Sequence, residues 1–405
     1  MGRTLRNKPP VKGTIDSLRD DARGRMEVDE QDYLVADTLP GEMITAEPFR
    51  KNRGKIEARV LSVEQASADR VEPRCEAFGI CGGCRLQHMA PAAQVAWKQS
   101  LLLKDLAEKG VAYNRLLAPI NSSPWGYRRR SRLGVKDVPG KGRVLVGFRE
   151  RGKPYISDCR RCEILAPPTG DLFEVLSDLV GSLTIKAALP QVEVATGENT
   201  TAMIFRVLEA PTSADLMALE KFSSSQNVQV FLQTGGLDTV TPLKADQPEL
   251  MYTLPDFDLE MVFQPMDFVQ VNAQVNRLMI AQAIDLLECD QDSKVLDLFC
   301  GLGNFSLAVG RKAGHVVGVD SDPGLLERAG VNASRNGIDN VSFEQGDLYQ
   351  EAVTGNWLGQ KFDRVLLDPP RAGAAQVLEH LPSLGASRLV YVSCGPDTFV
   401  RDAAV

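Results

Sequence analysis

Two kinds of hydrophobic pattern divide the sequence. Over about the last 140 residues, short apolar runs (KVLDLFCG, HVVGVD, VSFEQGD, RVLLDPP and RLVYVSC) recur with helix-length segments between them. Apolar strands alternating with helices build a parallel, doubly wound α/β sheet. Residues 10–62 read differently. Their runs alternate and are broken by Gly, Pro and Asp (VKGTIDSL, GRMEVDEQDYLVADTL, EARVLSVE), which predicts a small antiparallel barrel of the OB type. Residues 91–110, PAAQVAWKQSLLLKDLAEKG, predict an amphipathic helix stopped by Gly110. From about 125 to 262, strand-like RVLVGF, TAMIFRVL and VQVFLQT mix with helix-like TGDLFEVLSDLVGSL, an α+β pattern. No internal repeat is present. The expected fold is therefore multidomain, α/β and β: an OB-like barrel over 1–63, a cysteine loop over 64–95, a central α+β domain over 96–264 and a Rossmann-like sheet over 265–405.

Composition changes this picture in two places. Eight cysteines in 405 residues, with no apolar h-region at the N-terminus, point to a cytoplasmic chain and away from a secreted disulfide scaffold. No apolar run approaches a membrane span, so no membrane partner is expected. The formal charge of −7 argues against a nucleic-acid partner until it is resolved locally. Residues 126–161 hold twelve Lys and Arg against three acids, and the first 25 residues hold seven against three, with FRKNRGK at 49–55 continuing the excess. A basic stretch of this density is a polyanion footprint. In YRRRSR, four arginines stand beside Trp125 and Tyr127, a pairing that serves both phosphate contact and base stacking.

The chemistry sits where the strands of the parallel sheet end, because ligands of such sheets bind outside the carboxyl edge. DLFCGLGN, residues 297–304, sets Gly301 and Gly303 at the first turn. Asp320, 23 positions after Asp297, ends the second strand, where a carboxylate accepts hydrogen bonds from ribose hydroxyls; Asp347 follows the third and can face an adenine amine. The third glycine of a dinucleotide fingerprint is missing, and D-P-P after strand four is the arrangement of S-adenosylmethionine methyltransferases. Arg371 stands where amino-group methylases carry an aromatic, which points away from methylation of a base nitrogen. C5 of a pyrimidine is too weak a nucleophile to take a methyl group unaided, and covalent addition of a thiolate at C6 activates it. Cys394, in a Ser-Cys-Gly-Pro turn after strand five, suits that role, whereas Cys289 and Cys300 read as small buried hydrophobes.

A second cysteine group lies in RVEPRCEAFGICGGCRLQHM, which holds Cys75, Cys81 and Cys84, with Cys159 and Cys162 farther along in DCRRCEIL. Zinc on the two C-x2-C pairs, 81/84 and 159/162, is one reading by spacing, and it leaves Cys75 without a role. His88, His315 and His380, the three histidines of the chain, form no metal constellation by spacing.

Taken together, CEAFGICGGCRLQHM, YRRRSRL, FQPMDFVQVN, LDLFCGLGNF, LLDPPRAGA and YVSCGPDTFVRD resemble the uracil-5 RNA methyltransferases over nearly the whole chain. The basic N-terminal barrel is similar to a TRAM domain. Having both this barrel and the cysteine cluster resembles one branch acting on 23S ribosomal RNA, since the tRNA-directed branch lacks both and another 23S branch lacks the barrel. The resemblance implies a class I methyltransferase sheet, 23S ribosomal RNA as partner and Cys394 as nucleophile. It implies S-adenosylmethionine contacts from Gln270, Phe299, Asn304, Asp320, Asp347 and Asp368. It further implies a 4Fe-4S cluster on Cys75, Cys81, Cys84 and Cys162, leaving Cys159 outside the ligand set. No obligate protein partner is evident.

One departure matters. The family carries its proton-abstracting glutamate well beyond the nucleophile, whereas this sequence stops eleven residues after Cys394. A C-terminally truncated, incomplete sheet with an open edge and impaired turnover is therefore expected. Two further readings stay open at this level, a non-catalytic RNA-binding protein and an iron–sulfur redox protein.

Overall fold

The computed structural model describes residues 3–5, 8–350 and 355–405. They fall into two compact units, Met1–Leu101 with Gly134–Glu163 and Asp171–Asp178, and Leu102–Leu133 with Ile164–Gly170 and Leu179–Val405.

In the first unit, β1 (Arg3–Thr4), β2 (Val11–Thr14), β3 (Ser17–Leu18), β4 (Gly24–Val28), β5 (Gln31–Ala36), β6 (Met43–Asn52) and β7 (Lys55–Gln65) form one sheet. Their order is β1-β6-β7-β5-β4-β3, with β2 also on β6. Alternate residues turn inward as the period of two requires: Ile44 and Ala46 from β6 and Ile56 and Ala58 from β7 pack with Met26, Tyr33 and Val35. The pairing departs from a fully antiparallel one at a single place, where β5 and β7 run parallel. The cause is the β6–β7 hairpin. It turns at Arg53 and Gly54, both at positive φ, and lays β7 between β6 and β5 in the direction of β5.

The predicted helix is α1 (Pro91–Glu108), closed by Gly110 at φ +71°. The strand β8 (Arg130–Val138) then begins in the second unit and ends in the first, where Gly134–Val138 pairs antiparallel with β9 (Arg143–Gly147). After α2 (Phe173–Ser182) come β10 (Gln191–Thr196), β11 (Thr201–Arg206), α3 (Ser213–Gln226), β12 (Gln229–Gln233) and β13 (Val240–Pro242). A capping box starts α3: Thr212 accepts from the Asp215 amide, and Asp215 accepts from the Thr212 amide. A hairpin of β14 (Leu250–Leu254) and β15 (Leu259–Phe263) leads to α4 (Ala273–Leu287).

The parallel sheet follows. It comprises β16 (Lys294–Leu298), β17 (His315–Asp320), β18 (Val341–Gln345), β19 (Arg364–Leu367) and β20 (Arg388–Tyr391) in the order β18-β17-β16-β19-β20. All four pairings are parallel. Neighbouring residues of β16 serve opposite faces: Val295 packs with Ile280, Ile284 and Leu307, and Leu296 packs with Trp357 and Val365. The doubly wound sheet read from the apolar runs is thus present, but its connections are shorter than their sequence length suggests. α6 (Pro323–Arg335) is a full crossover helix started by Asp322, which accepts from the Gly324 and Leu325 amides. By contrast α5 (Ser306–Gly310) is brief, and β19 and β20 are bridged by α7 (Ala375–Leu378) and α8 (Leu381–Leu384), the latter holding Pro382 and ending on Gly385 at φ +80°. A last helix, α9 (Pro396–Asp402), follows β20. Among the described residues no helix is long and apolar enough to cross a membrane.

Candidate active site and cysteine loop

The carboxyl ends of β16, β17, β19 and β20 open onto a cavity of about 460 Å³ within the second unit. Six predicted site residues line it: Gln270, Phe299, Asn304, Asp320, Asp368 and Cys394. Asp347 does not. Its exposed carboxylate accepts from the Tyr349 amide (2.9 Å) and the Gln350 side chain (3.2 Å), while its neighbours Gly346 and Leu348 form the wall.

The turn after β16 has a demanding backbone. Phe299, Gly301 and Gly303 all take positive φ, at 66°, 55° and 88°. Glycine adopts this region freely, but Phe299 does so at a cost of order 1–3 kcal/mol, the kind of strain that gathers at ligand sites. It places the Phe299 ring in the wall, 5.5 Å from the ring of Tyr349. Asp320, ending β17, braces the turn by accepting from the Gly301 amide at 3.0 Å. Asn304 is locked by Asn276, each amide donating to the other's oxygen at 3.0 Å, and it also accepts from the Tyr252 hydroxyl at 2.8 Å.

Three carboxyls set the electrostatics. Asp368 accepts from Gln270 (3.1 Å), yet burial pushes its pKa up to about 6. Asp297 is 0% exposed. One of its oxygens accepts from the Ser306 hydroxyl (2.5 Å), and the other is buried without a partner. Burial lifts it to about 7 against the Ser306 hydrogen bond, with the charges of Asp368 and Asp320 adding to the rise. Asp320 and Asp368 among the aromatic rings of the cleft suit a ligand with positive charge and sugar hydroxyls. The residues present therefore fit S-adenosylmethionine.

Cys394 is the one exposed cysteine among the described residues. Its turn is held from below. Asp402, buried, accepts from the Tyr391 hydroxyl (2.6 Å), the Ala374 amide (2.7 Å) and Arg401 (2.7 Å). These hydrogen bonds outweigh desolvation and keep its carboxyl below the usual range. Cys300, in contrast, is buried and its thiol pushed far up by burial, as expected of a small core residue. Sequence reasoning missed Phe268, which is 69% exposed while lining the cavity, and Tyr252. An apolar ring inside FQPMDFVQVN was the available signal for Phe268.

The YRRRSR segment is less open than its charge suggests. Arg130 donates to the Asp267 carbonyl, Arg132 pairs with Glu193 (2.9 Å), and Arg129 is 4% exposed.

Within the first unit the predicted cysteine loop is held by its neighbours. Arg151 donates to the Cys81 and Cys84 carbonyls (3.3 and 2.8 Å) and pairs with Asp37 (2.6 Å). Cys75, Cys81, Cys84 and Cys162 are partly exposed and Cys159 is buried. Burial pushes the Cys75, Cys81 and Cys159 thiols up, the last to about 12, and the Cys81, Cys75 and Cys162 charges add to the rise at Cys159. The five thiols therefore share one neighbourhood. Among the described residues, no three His, Cys, Asp or Glu side chains are drawn together as a metal ion requires.

The parallel order β18-β17-β16-β19-β20 with this carboxylate-lined cleft is consistent with a class I S-adenosylmethionine-dependent methyltransferase. Residues 174–404 match the tRNA (Uracil-5-)-methyltransferase family model. The chain is 45% identical to the 23S rRNA (uracil(1939)-C(5))-methyltransferase RlmD of Alkalilimnicola ehrlichii, covering all of this chain and 92% of that protein. It is 41% identical to the protein of the same name from Methylococcus capsulatus, covering all of this chain and 93% of the other. Its fold resembles that of the tRNA (uracil-54, C5)-methyltransferase of Pyrococcus abyssi, solved with S-adenosyl-L-homocysteine, with a TM-score of 0.73 and 23% identity over 97% of this chain and 92% of the other. The chain belongs to the RNA uracil-5 methyltransferase family.

Proposed function

We propose that the protein transfers a methyl group from S-adenosylmethionine to C5 of a uridine in 23S rRNA, with Cys394 as the nucleophile. The observation that carries this reading is an exposed thiol on the wall of a cavity that also presents carboxylates and aromatic rings. S-adenosylmethionine, when bound, would supply the electrophilic methyl group, with S-adenosylhomocysteine as the leaving group once the methyl–sulfur bond breaks. Asp320 is suited to accept from ribose hydroxyls, and Asp368 with Gln270 to hold the charged end. Phe268 and Arg371 line the same cavity, where an exposed ring can stack on a flipped base. The Cys394 sulfur adds to C6 of the uracil and forms a carbon–sulfur bond, which turns C5 into a nucleophile. Once C5 carries the methyl group, loss of its proton re-forms the C5–C6 double bond and expels the sulfur. Water takes that proton, and turnover is slow.

A 4Fe-4S cluster on Cys75, Cys81, Cys84 and Cys162 is part of the reading. Its support is a neighbourhood of sulfur donors, the ligand type such clusters take. The N-terminal sheet is read as a TRAM-like RNA-binding barrel, and residues 64–95 as the loop that joins it to the central domain.

The test is methylation of a 23S rRNA transcript carrying tritium at C5 of its uridines. Tritium release that requires S-adenosylmethionine, with 5-methyluridine found by mass spectrometry, is the expected result. Protein that binds S-adenosylmethionine and the transcript yet forms no 5-methyluridine refutes the reading. Anaerobically purified protein should be brown and contain iron and sulfide; colourless protein with stoichiometric zinc removes the cluster from it.

A further inference from the structure

A second hollow, of about 300 Å³, opens in the same unit as the cofactor cavity. Trp125, Tyr127 and Arg129 form one wall, and the first turn of α4, from Asn272 to Gln274, forms another. Two independent features there call for an anion. The first is the helix end. Asn272 caps α4 by accepting from the Val275 amide (3.0 Å), which leaves Ala273 and Gln274 in the turn whose amides have no intrahelical acceptor. The positive end of the helix dipole lies at the same place.

The second feature is Arg129. Its Nε donates to the Gln270 carbonyl (2.6 Å) and its guanidinium lies 4.5 Å from the Tyr252 ring centroid. Both terminal nitrogens are buried without a hydrogen-bond partner. A guanidinium stays charged under all ordinary conditions, so this is a buried cation with an unfilled fork. The acid in the hollow, Glu198, is already engaged by Arg277 (2.6 Å) and by the Thr253 hydroxyl and amide (2.9 and 3.2 Å).

We propose that this hollow is a subsite for a second, splayed nucleotide of the RNA substrate, its phosphate at the α4 N-terminus beside Arg129 and its base against Trp125 or Tyr127. The proposal rests on the reading of the protein as an RNA methyltransferase. Aromatic rings beside a cation are the surroundings in which unstacked bases are held. A hollow of this size admits one nucleotide and excludes a duplex.

The test uses the full chain and a fluorescein-labelled fragment of 23S rRNA in anisotropy titrations. Gln274→Glu places a negative charge at the phosphate position while favouring the helix itself, and its carboxylate can still accept from the Ser123 amide, as Gln274 does at 3.3 Å. RNA affinity should fall by about tenfold or more, and the slope of log affinity against log salt should lessen by about one. Trp125→Ala should weaken binding by about 5- to 100-fold. Trp125→Phe should keep affinity while losing the quenching of tryptophan fluorescence by RNA. S-adenosylhomocysteine affinity unchanged in all three variants reports an intact fold. RNA affinity within twofold of wild type in both Gln274→Glu and Trp125→Ala overturns the subsite. If 5-methyluridine still forms in that case, the enzymatic reading stands without it. RNA binding that shows these sensitivities in a protein forming no 5-methyluridine supports the subsite and refutes the enzymatic reading instead.

Discussion

Replacing Asp297 by Asn should stabilise the protein at pH 8 and lose that advantage near pH 5. In the fold this carboxyl titrates at about 7 because burial disfavours its charge, whereas in the unfolded chain it titrates near 4. Between those values the folded state holds a proton that the unfolded state has released, so raising the pH through this window costs stability. The cost is complete above pH 7 and absent below about pH 4. A difference of about three units amounts to about 4 kcal/mol at pH 8 and between about 1 and 2 kcal/mol at pH 5. Asn removes the titration but has its own cost. Ser306 can still donate to its oxygen, which turns the amide nitrogen toward the position where Asp297 has an unpartnered oxygen. A buried donor left there costs about 1–3 kcal/mol. The net gain at pH 8 is therefore about 1–3 kcal/mol, and near pH 5 it vanishes or reverses. At about 2–4 °C per kcal/mol, the ligand-free variant should melt several degrees above wild type at pH 8 and level with it or below at pH 5. Scanning fluorimetry of both proteins across that pH range reads this directly. A difference in melting temperature that does not change with pH refutes the reasoning.

Cys394→Ser should abolish tritium release from 5-tritiated uridine RNA, by at least about 10³-fold, while S-adenosylhomocysteine affinity stays within twofold of wild type by calorimetry. Phe268→Ala should lower kcat/KM for RNA by about 5- to 100-fold, the worth of one stacked base, and Phe268→Tyr should restore most of it in the same assay. A Cβ added at Gly318 would lie 2.8 Å from the Phe343 ring and 3.0 Å from the Cys300 sulfur. Gly318→Ala should therefore cost about 1–3 kcal/mol in denaturant unfolding, and it should weaken cofactor binding because Cys300 lines that cavity.

The parallel sheet was legible because each of its strands is a short apolar run followed by a polar, chemically marked turn; Asp320, Asp368 and Cys394 could be read from the ends of those runs. The short connections were not legible, since the stretch from 368 to 387 has helical length while its prolines and glycines break it into two single turns. Nor could the sequence show that β7 lies between β5 and β6, because that depends on which edge a hairpin returns to and not on its alternation. Charge misled at YRRRSR: Arg129 is drawn inward by the Gln270 carbonyl and the Tyr252 ring, contacts made by residues more than a hundred positions away. The Phe299 backbone conformation left no trace, since nothing in its composition marks a phenylalanine at positive φ. Asp347 reads as a third-strand carboxylate by spacing, yet its side chain serves its own turn.

The first turn of α4 has a double allegiance. Asn272, Ala273 and Gln274 wall one hollow, and Asn276, two positions farther on, grips Asn304 in the other. One turn of helix thus borders both pockets. Sharing of this kind obeys thermodynamic reciprocity: any help that occupancy of one pocket gives the other is returned in equal measure. Which ligand arrives first then governs the tempo of assembly and leaves its total free energy the same.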